Sequence, residues 1–179
     1  MTAITSSRNA EDLSMTIVAE FEAAPEHLWN LWEDPRKLER WWGPWPYPAT
    51  FTRYEFRPGG QCRYYMTGPE DFMHYGWWRI DALDAPRRIE FVNGLAGDDG
   101  EPVPGLEPIG GVVTFEPIAT DTRMTVLCQF ADADQMEQLA MGMQEGMSLA
   151  IGQIDALLKP AGGDALRDLD DTLAGTPRS

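Results

Sequence analysis

The stretch Asp134–Lys159, DQMEQLAMGMQEGMSLAIGQIDALLK, decides how the chain folds. Leu139, Met143, Met147, Ala150, Ile151, Ile154 and Leu158 recur at helical spacing and form one continuous apolar stripe. An aspartate able to cap the first turn opens the segment, and Pro160, which cannot continue a helix, closes it. A helix this long with one apolar side needs a broad surface to lie across.

The strands before it supply that surface. Thr50–Arg57, Gln61–Thr67, Phe72–Leu83, Arg88–Asn93, Gly111–Pro117 and Thr122–Ala131 read as extended, separated by turn-rich pieces such as PGG, TGPED and ATD. Short connections between successive strands favour an antiparallel meander. One connection is long: LAGDDGEPVPGLEPIG, Leu95–Gly110, is rich in Gly, Pro and acid, and reads equally as a functional flap or an excursion. Farther upstream, Leu13, Met15, Ile17, Ala19 and Phe21 alternate with mostly polar neighbours, as in a half-buried strand. Pro25 opens a short helix carrying Leu28, Leu31 and Trp32; Asp34-Pro35 breaks it, and a second runs through Leu38, Trp41 and Trp42 to Gly43-Pro44.

Residues 1–12 are small, polar and non-periodic and are expected to form a flexible lead; 160–179 reads as a tail, leaving one domain over 13–159. The order is strand, two short helices, six strands, long helix. It describes an α+β fold in which a curved antiparallel sheet wraps around the terminal helix and leaves space for a pocket.

Composition excludes several functions. The 179 residues carry 29 acidic and 14 basic side chains, a formal charge of −15, whose average field repels phosphate backbones and anionic surfaces. No nucleic acid is therefore expected as a partner. Cys62 and Cys128 lack metal-ligand spacing and are expected as buried free thiols in a reducing compartment. With two histidines there is no histidine-rich metal site, and the phosphate-loop, dinucleotide and nucleophile-elbow motifs are missing. No metal or cofactor is expected. Neither a leader peptide nor a membrane-span-length apolar run is visible, so the expected location is the cytoplasm.

Four stretches carry a resemblance: FEAAPEHLWNLW (Phe21–Trp32), DPRKLERWWG (Asp34–Gly43), YEFRPGG (Tyr54–Gly60) and EGMSLAIGQIDALL (Glu145–Leu158). Together they resemble the START-like (SRPBCC) superfamily, in the branch named for activator of heat-shock protein 90 ATPase homologues. The resemblance implies a helix-grip fold, of START-like or Bet v-like kind, with an internal cavity. The superfamily includes lipid, sterol and hormone carriers and polyketide cyclases. A chaperone partner is not expected, because chaperone activators carry a separate preceding domain; homodimerisation is left open. Many relatives have Trp where this chain has Met147, so the pocket is expected to be larger or differently shaped.

Strand alternation assigns the facing side chains. Cys62, Tyr64 and Met66 point inward if Arg63 stays in water, and Phe72, His74, Gly76, Trp78 and Ile80 point inward if Arg79 does. Trp77 then faces outward and marks a candidate partner surface. Ile89, Phe91, Val113, Phe115, Met124, Val126 and Cys128 extend the inner wall. The candidate ligand contacts are Trp32, Trp41, Phe56, Tyr64, Met66, His74, Trp78, Phe91, Phe115, Met124, Met143 and Met147, although any one of them singly is more often packed core. No catalytic residue is assigned; His74, by its titration range, is the one weak candidate. The expected function is non-catalytic binding of a hydrophobic or aromatic small molecule. The alternatives are a polyketide cyclase or dehydratase, and a protein-interaction module of chaperone-activator type.

Overall fold

The computed structural model describes residues 3–158; Lys159 and the expected tail lie outside the described residues. The elements are β1 (Ala3–Asn9), β2 (Ser14–Phe21), α1 (Pro25–Glu33), α2 (Pro35–Leu38), β3 (Ala49–Tyr54), β4 (Gln61–Thr67), β5 (Met73–Asp84), β6 (Arg88–Ala96), β7 (Ile109–Ile118), β8 (Asp121–Gln129), α3 (Ala133–Gly152) and α4 (Ile154–Leu158). All eight strands form one sheet in the order β1-β2-β8-β7-β6-β5-β4-β3, and every pairing is antiparallel. With α3 laid across its concave face, this is the helix-grip arrangement.

The first strand corrects the expected flexible lead. Ala3–Asn9 pairs in continuous register with β2, from Ala3↔Glu20 to Asn9↔Ser14. It escapes a periodicity reading because an edge strand exposed on both faces has almost no apolar side to bury. Ladder hydrogen bonds hold it, together with the Ser6 hydroxyl, which accepts from Gln144 Nε2 at 2.7 Å across α3.

Three further boundaries differ from expectation. The second short helix ends at Leu38, and the chain then turns through Trp41 and Trp42. The long helix starts one residue earlier, capped by Asp132, whose carboxylate accepts from the Gln135 N–H at 2.8 Å. It also breaks at Gln153. There the side-chain amide donates to the carbonyls of Trp41 (2.9 Å) and Gly43 (3.0 Å) and accepts from the Trp45 N–H (3.1 Å). One glutamine thus ties the tryptophan turn to the helix break.

The core is unevenly filled. Trp32, Trp41 and Trp78 are among the largest fully buried side chains, and Trp29 packs edge-on against Phe56 (5.6 Å) and Phe115 (5.9 Å). These rings fill the part of the concavity under α1 and the 41–45 turn. Beneath the middle of α3 the sheet and helix do not meet fully.

Candidate functional site

A cavity of about 660 Å³ occupies that gap, within the size range typical of small-molecule pockets. Its sheet wall depends on glycines opposite aromatic rings. Tyr64 pairs across the strands with Gly76, and a methyl at position 76 would overlap its ring and hydroxyl. Phe91 pairs with Gly111, where an added Cβ would sit 2.8 Å from the ring. On the outer face Trp77 lies on its partner Gly94, with Nε1 2.9 Å from where a Cβ would be. Each glycine lets a ring lie down against the backbone. The outward Trp77 is therefore half-buried, and this accounts for its position without a partner protein.

The helix wall consists of Leu139, Gly142, Met143, Gly146, Met147, Ala150 and Ile151. Among the described residues a Cβ at Gly142 or Gly146 would meet nothing within 4 Å. Both glycines lie in the interior of α3, where each costs about 1 kcal/mol relative to alanine. They leave open the space that larger side chains would fill.

Few polar groups face the interior. Burial pushes the pKa of the Tyr64 phenol up, an effect partly offset by the indole N–H groups of Trp42 and Trp78. Those rings stand across from Tyr64 with centroids at 6.2 and 6.3 Å. Neither N–H meets the geometry of a hydrogen bond, so both are buried without an acceptor, as is that of Trp32. Burial lowers the pKa of His74, which favours the neutral imidazole. Asn93 donates one amide hydrogen to the Ile109 carbonyl at 3.0 Å, leaving its second N–H and its oxygen for other use. The Cys128 thiol lies 3.9 Å from the Met147 sulfur, and burial pushes its pKa up to about 12. Both cysteines are free and buried.

The mouth opens between the first half of α3 and the long connection, where Leu95, Leu106, Glu107, Asp132, Asp134 and Gln138 are exposed along the lining. The connection is tied down at several points. Ala96 bridges Pro102, Val103 N–H donates to the Leu95 carbonyl at 3.0 Å, and Gln135 Nε2 donates to the Glu107 carbonyl at 2.6 Å. A second, smaller cavity of about 250 Å³ lies between α1 and α4, lined by His27, Lys37 and Arg40 among others. It is smaller and carries Lys37 and Arg40, so the larger apolar cavity is the better candidate.

Of the candidate contacts, Tyr64, Met66, His74, Phe91, Met143 and Met147 share the wall of the large cavity. Trp32, Trp41, Phe56, Trp78, Phe115 and Met124 are not on that wall and pack in or against the core. Alternation assigns a side chain to the concave face but not to a position along it, and the crowded part of that face lies away from α3. Trp41 and Tyr54 show the structural use of such rings: Trp41 Nε1 donates to the Leu31 carbonyl at 3.0 Å, and the Tyr54 hydroxyl donates to that of Trp32. The sequence reading missed Trp42, Asn93, Gly142 and Gly146 as wall residues. The two glycines four residues apart in an otherwise strong helical pattern were the available signal.

Among the described residues no cluster of three or more His, Cys, Asp or Glu is placed to hold a metal ion, and no helix is long and apolar enough to cross a membrane. Residues 22–159 match the family model described as "Activator of Hsp90 ATPase homolog 1-like protein". The crystal structure of protein Ms6760 from Mycobacterium smegmatis is 40% identical, over 88% of this chain and 98% of that one, with a TM-score of 0.82. The solution structure of a protein from Arthrobacter aurescens is 47% identical, over 86% of this chain and 90% of that one, also with a TM-score of 0.82. A Rhodobacter sphaeroides protein, 21% identical over 88% and 98% of the two chains with a TM-score of 0.74, shares the fold. No curated protein matches the chain.

Proposed function

Because the chain belongs to the family of activator of Hsp90 ATPase homolog 1-like proteins, we propose that it is a binding domain for a hydrophobic or aromatic small molecule, lipid-like or polyketide-like, held between the sheet and α3. One observation carries this reading: a cavity of about 660 Å³ whose helix wall is kept open by Gly142 and Gly146. Protein interiors are close-packed as a rule, and an empty volume of this size forfeits dispersion contacts along its whole lining. Alanine at either glycine would strengthen the helix, so the open space is bought with stability, as expected of a binding site.

The wall chemistry supports the same reading. Phe91, Ile109, Met143, Met147 and Ile151 offer apolar and polarisable surface, with methionines that adapt to a guest's shape. Binding of this kind requires no acid–base pair.

Native mass spectrometry of freshly purified protein tests the proposal. The expected spectrum carries an adduct of a few hundred daltons that denaturation releases. Titration with aromatic and fatty-acyl probes should also shift the emission of Trp42 on the cavity wall. A bare mass together with flat fluorescence across the panel would refute the binding function.

A further inference from the structure

The polar groups at the sheet end of the cavity narrow the class of guest, on the premise that the cavity binds one at all. Tyr64 is on the wall, with its hydroxyl end over Gly76. The indoles of Trp42 and Trp78 stand perpendicular to each other, 4.8 Å apart, and both face the Tyr64 ring at 6.2–6.3 Å. Their N–H groups are buried with no acceptor. An indole can only donate, whereas a phenol donates once and accepts through its lone pairs. Among the described residues the Tyr64 hydroxyl oxygen is an acceptor placed towards both indoles. When it accepts from them, its own hydrogen is left to point into the cavity.

Charge is the second constraint. Among the described residues neither Lys nor Arg lines the cavity, while Glu107, Asp132 and Asp134 line its mouth. The N-terminus of α3 would ordinarily attract an anion, but the Asp132 carboxylate already caps it. A carboxylate entering here would pass three like charges and be desolvated beside no cation, since burial favours the neutral form of His74 on the wall. Asn93 commits one amide hydrogen to Ile109 and keeps its oxygen and its second N–H, so it brings no charge to meet an anion.

We propose that the cavity takes an uncharged guest that presents a carbonyl oxygen to the Tyr64 hydroxyl, and that it discriminates against the corresponding free acid. The carbonyl completes a donor chain from indole N–H to phenol to guest. Chains of this kind strengthen each member and satisfy donors that are otherwise orphaned.

Three probes on one skeleton test this: 6-propionyl-2-(dimethylamino)naphthalene, 6-(dimethylamino)-2-naphthoic acid, and 2-(dimethylamino)-6-propylnaphthalene, which has no carbonyl. The ketone is expected to bind about tenfold tighter than either of the others, the scale set by one well-made hydrogen bond in a dry site. Tyr64→Phe should remove the ketone's advantage, bringing the ratio of the two affinities to about one, in a variant whose cooperative thermal unfolding shows that it is folded. The carbonyl stretch of the bound ketone should shift to lower frequency in the wild type and not in Tyr64→Phe. Equal binding of ketone and propyl compound, or tighter binding of the acid, overturns the inference while leaving the cavity a binding site. Binding by none of the three removes both readings together.

Discussion

Tyr64 lies over Gly76, its partner across the β4–β5 ladder, so closely that a single methyl at position 76 would overlap its ring and hydroxyl. The absence of a Cβ on one strand thus sets the position of a phenol on the next, and with it the chemistry at the inner end of the cavity. Phe91 and Gly111 repeat the arrangement two ladders farther along.

Gly76→Ala is therefore expected to lift Tyr64 off the sheet. Overpacking of this kind costs about 1–3 kcal/mol. Thermal unfolding should show the loss, and any carbonyl-selective binding should disappear with it. An unchanged melting temperature would mean that the ring can move aside freely.

Gly142→Ala and Gly146→Ala should do the opposite. Each adds a Cβ that meets nothing within 4 Å and improves helix propensity, so a gain of about 1 kcal/mol apiece is expected in urea unfolding. Gly146→Leu should block the cavity and abolish probe binding in a protein that still folds. This combination of retained stability and lost binding separates a binding role from a structural one.

Gln153→Ala removes three hydrogen bonds that fasten Trp41, Gly43 and Trp45 to the helix break. Leaving those backbone groups unpaired is expected to cost about 1–3 kcal/mol. Because Trp42 lies inside the tethered turn, its fluorescence should also become more solvent-like, a change visible without any ligand.

Burial lowers the pKa of His74 from its ordinary 6.5. The unfolded chain therefore binds this proton more readily than the native one. Its stabilising neutrality is intact above pH 6.5 and is lost as the pH falls through that value towards the lower native pKa. Urea midpoints measured against pH should decline more steeply in this window for the wild type than for His74→Gln, which cannot titrate.

Much of the architecture was visible in residue order. The alternation of Met15, Ile17, Ala19 and Phe21 and the apolar stripe from Leu139 to Ile151 report local periodicities that survive in the folded chain, although the helix expected to run on to Leu158 breaks at Gln153. The inward parity of Cys62, Tyr64, Trp78, Ile80 and Phe91 also holds, because one charged neighbour in water dictates the facing of a whole strand; Phe72, expected on the same face, precedes β5 and is exposed. The edge strand Ala3–Asn9 was invisible for the converse reason: exposed nearly throughout, it has no pattern for burial to impress on it.

The cavity belongs to a different level. That Trp78 packs into the core while His74, four residues away on the same strand, lines the open space follows from where α1 and the tryptophan turn press on the sheet. So does the pairing of Trp42 and Trp78 with Tyr64, residues 14 to 36 positions apart in the chain. Sequence alone determined which faces are apolar and in what order the elements come, because these depend on neighbours along the chain. Only the tertiary structure decided where packing stops and a pocket begins, because an unfilled volume is a property of surfaces that meet across the fold.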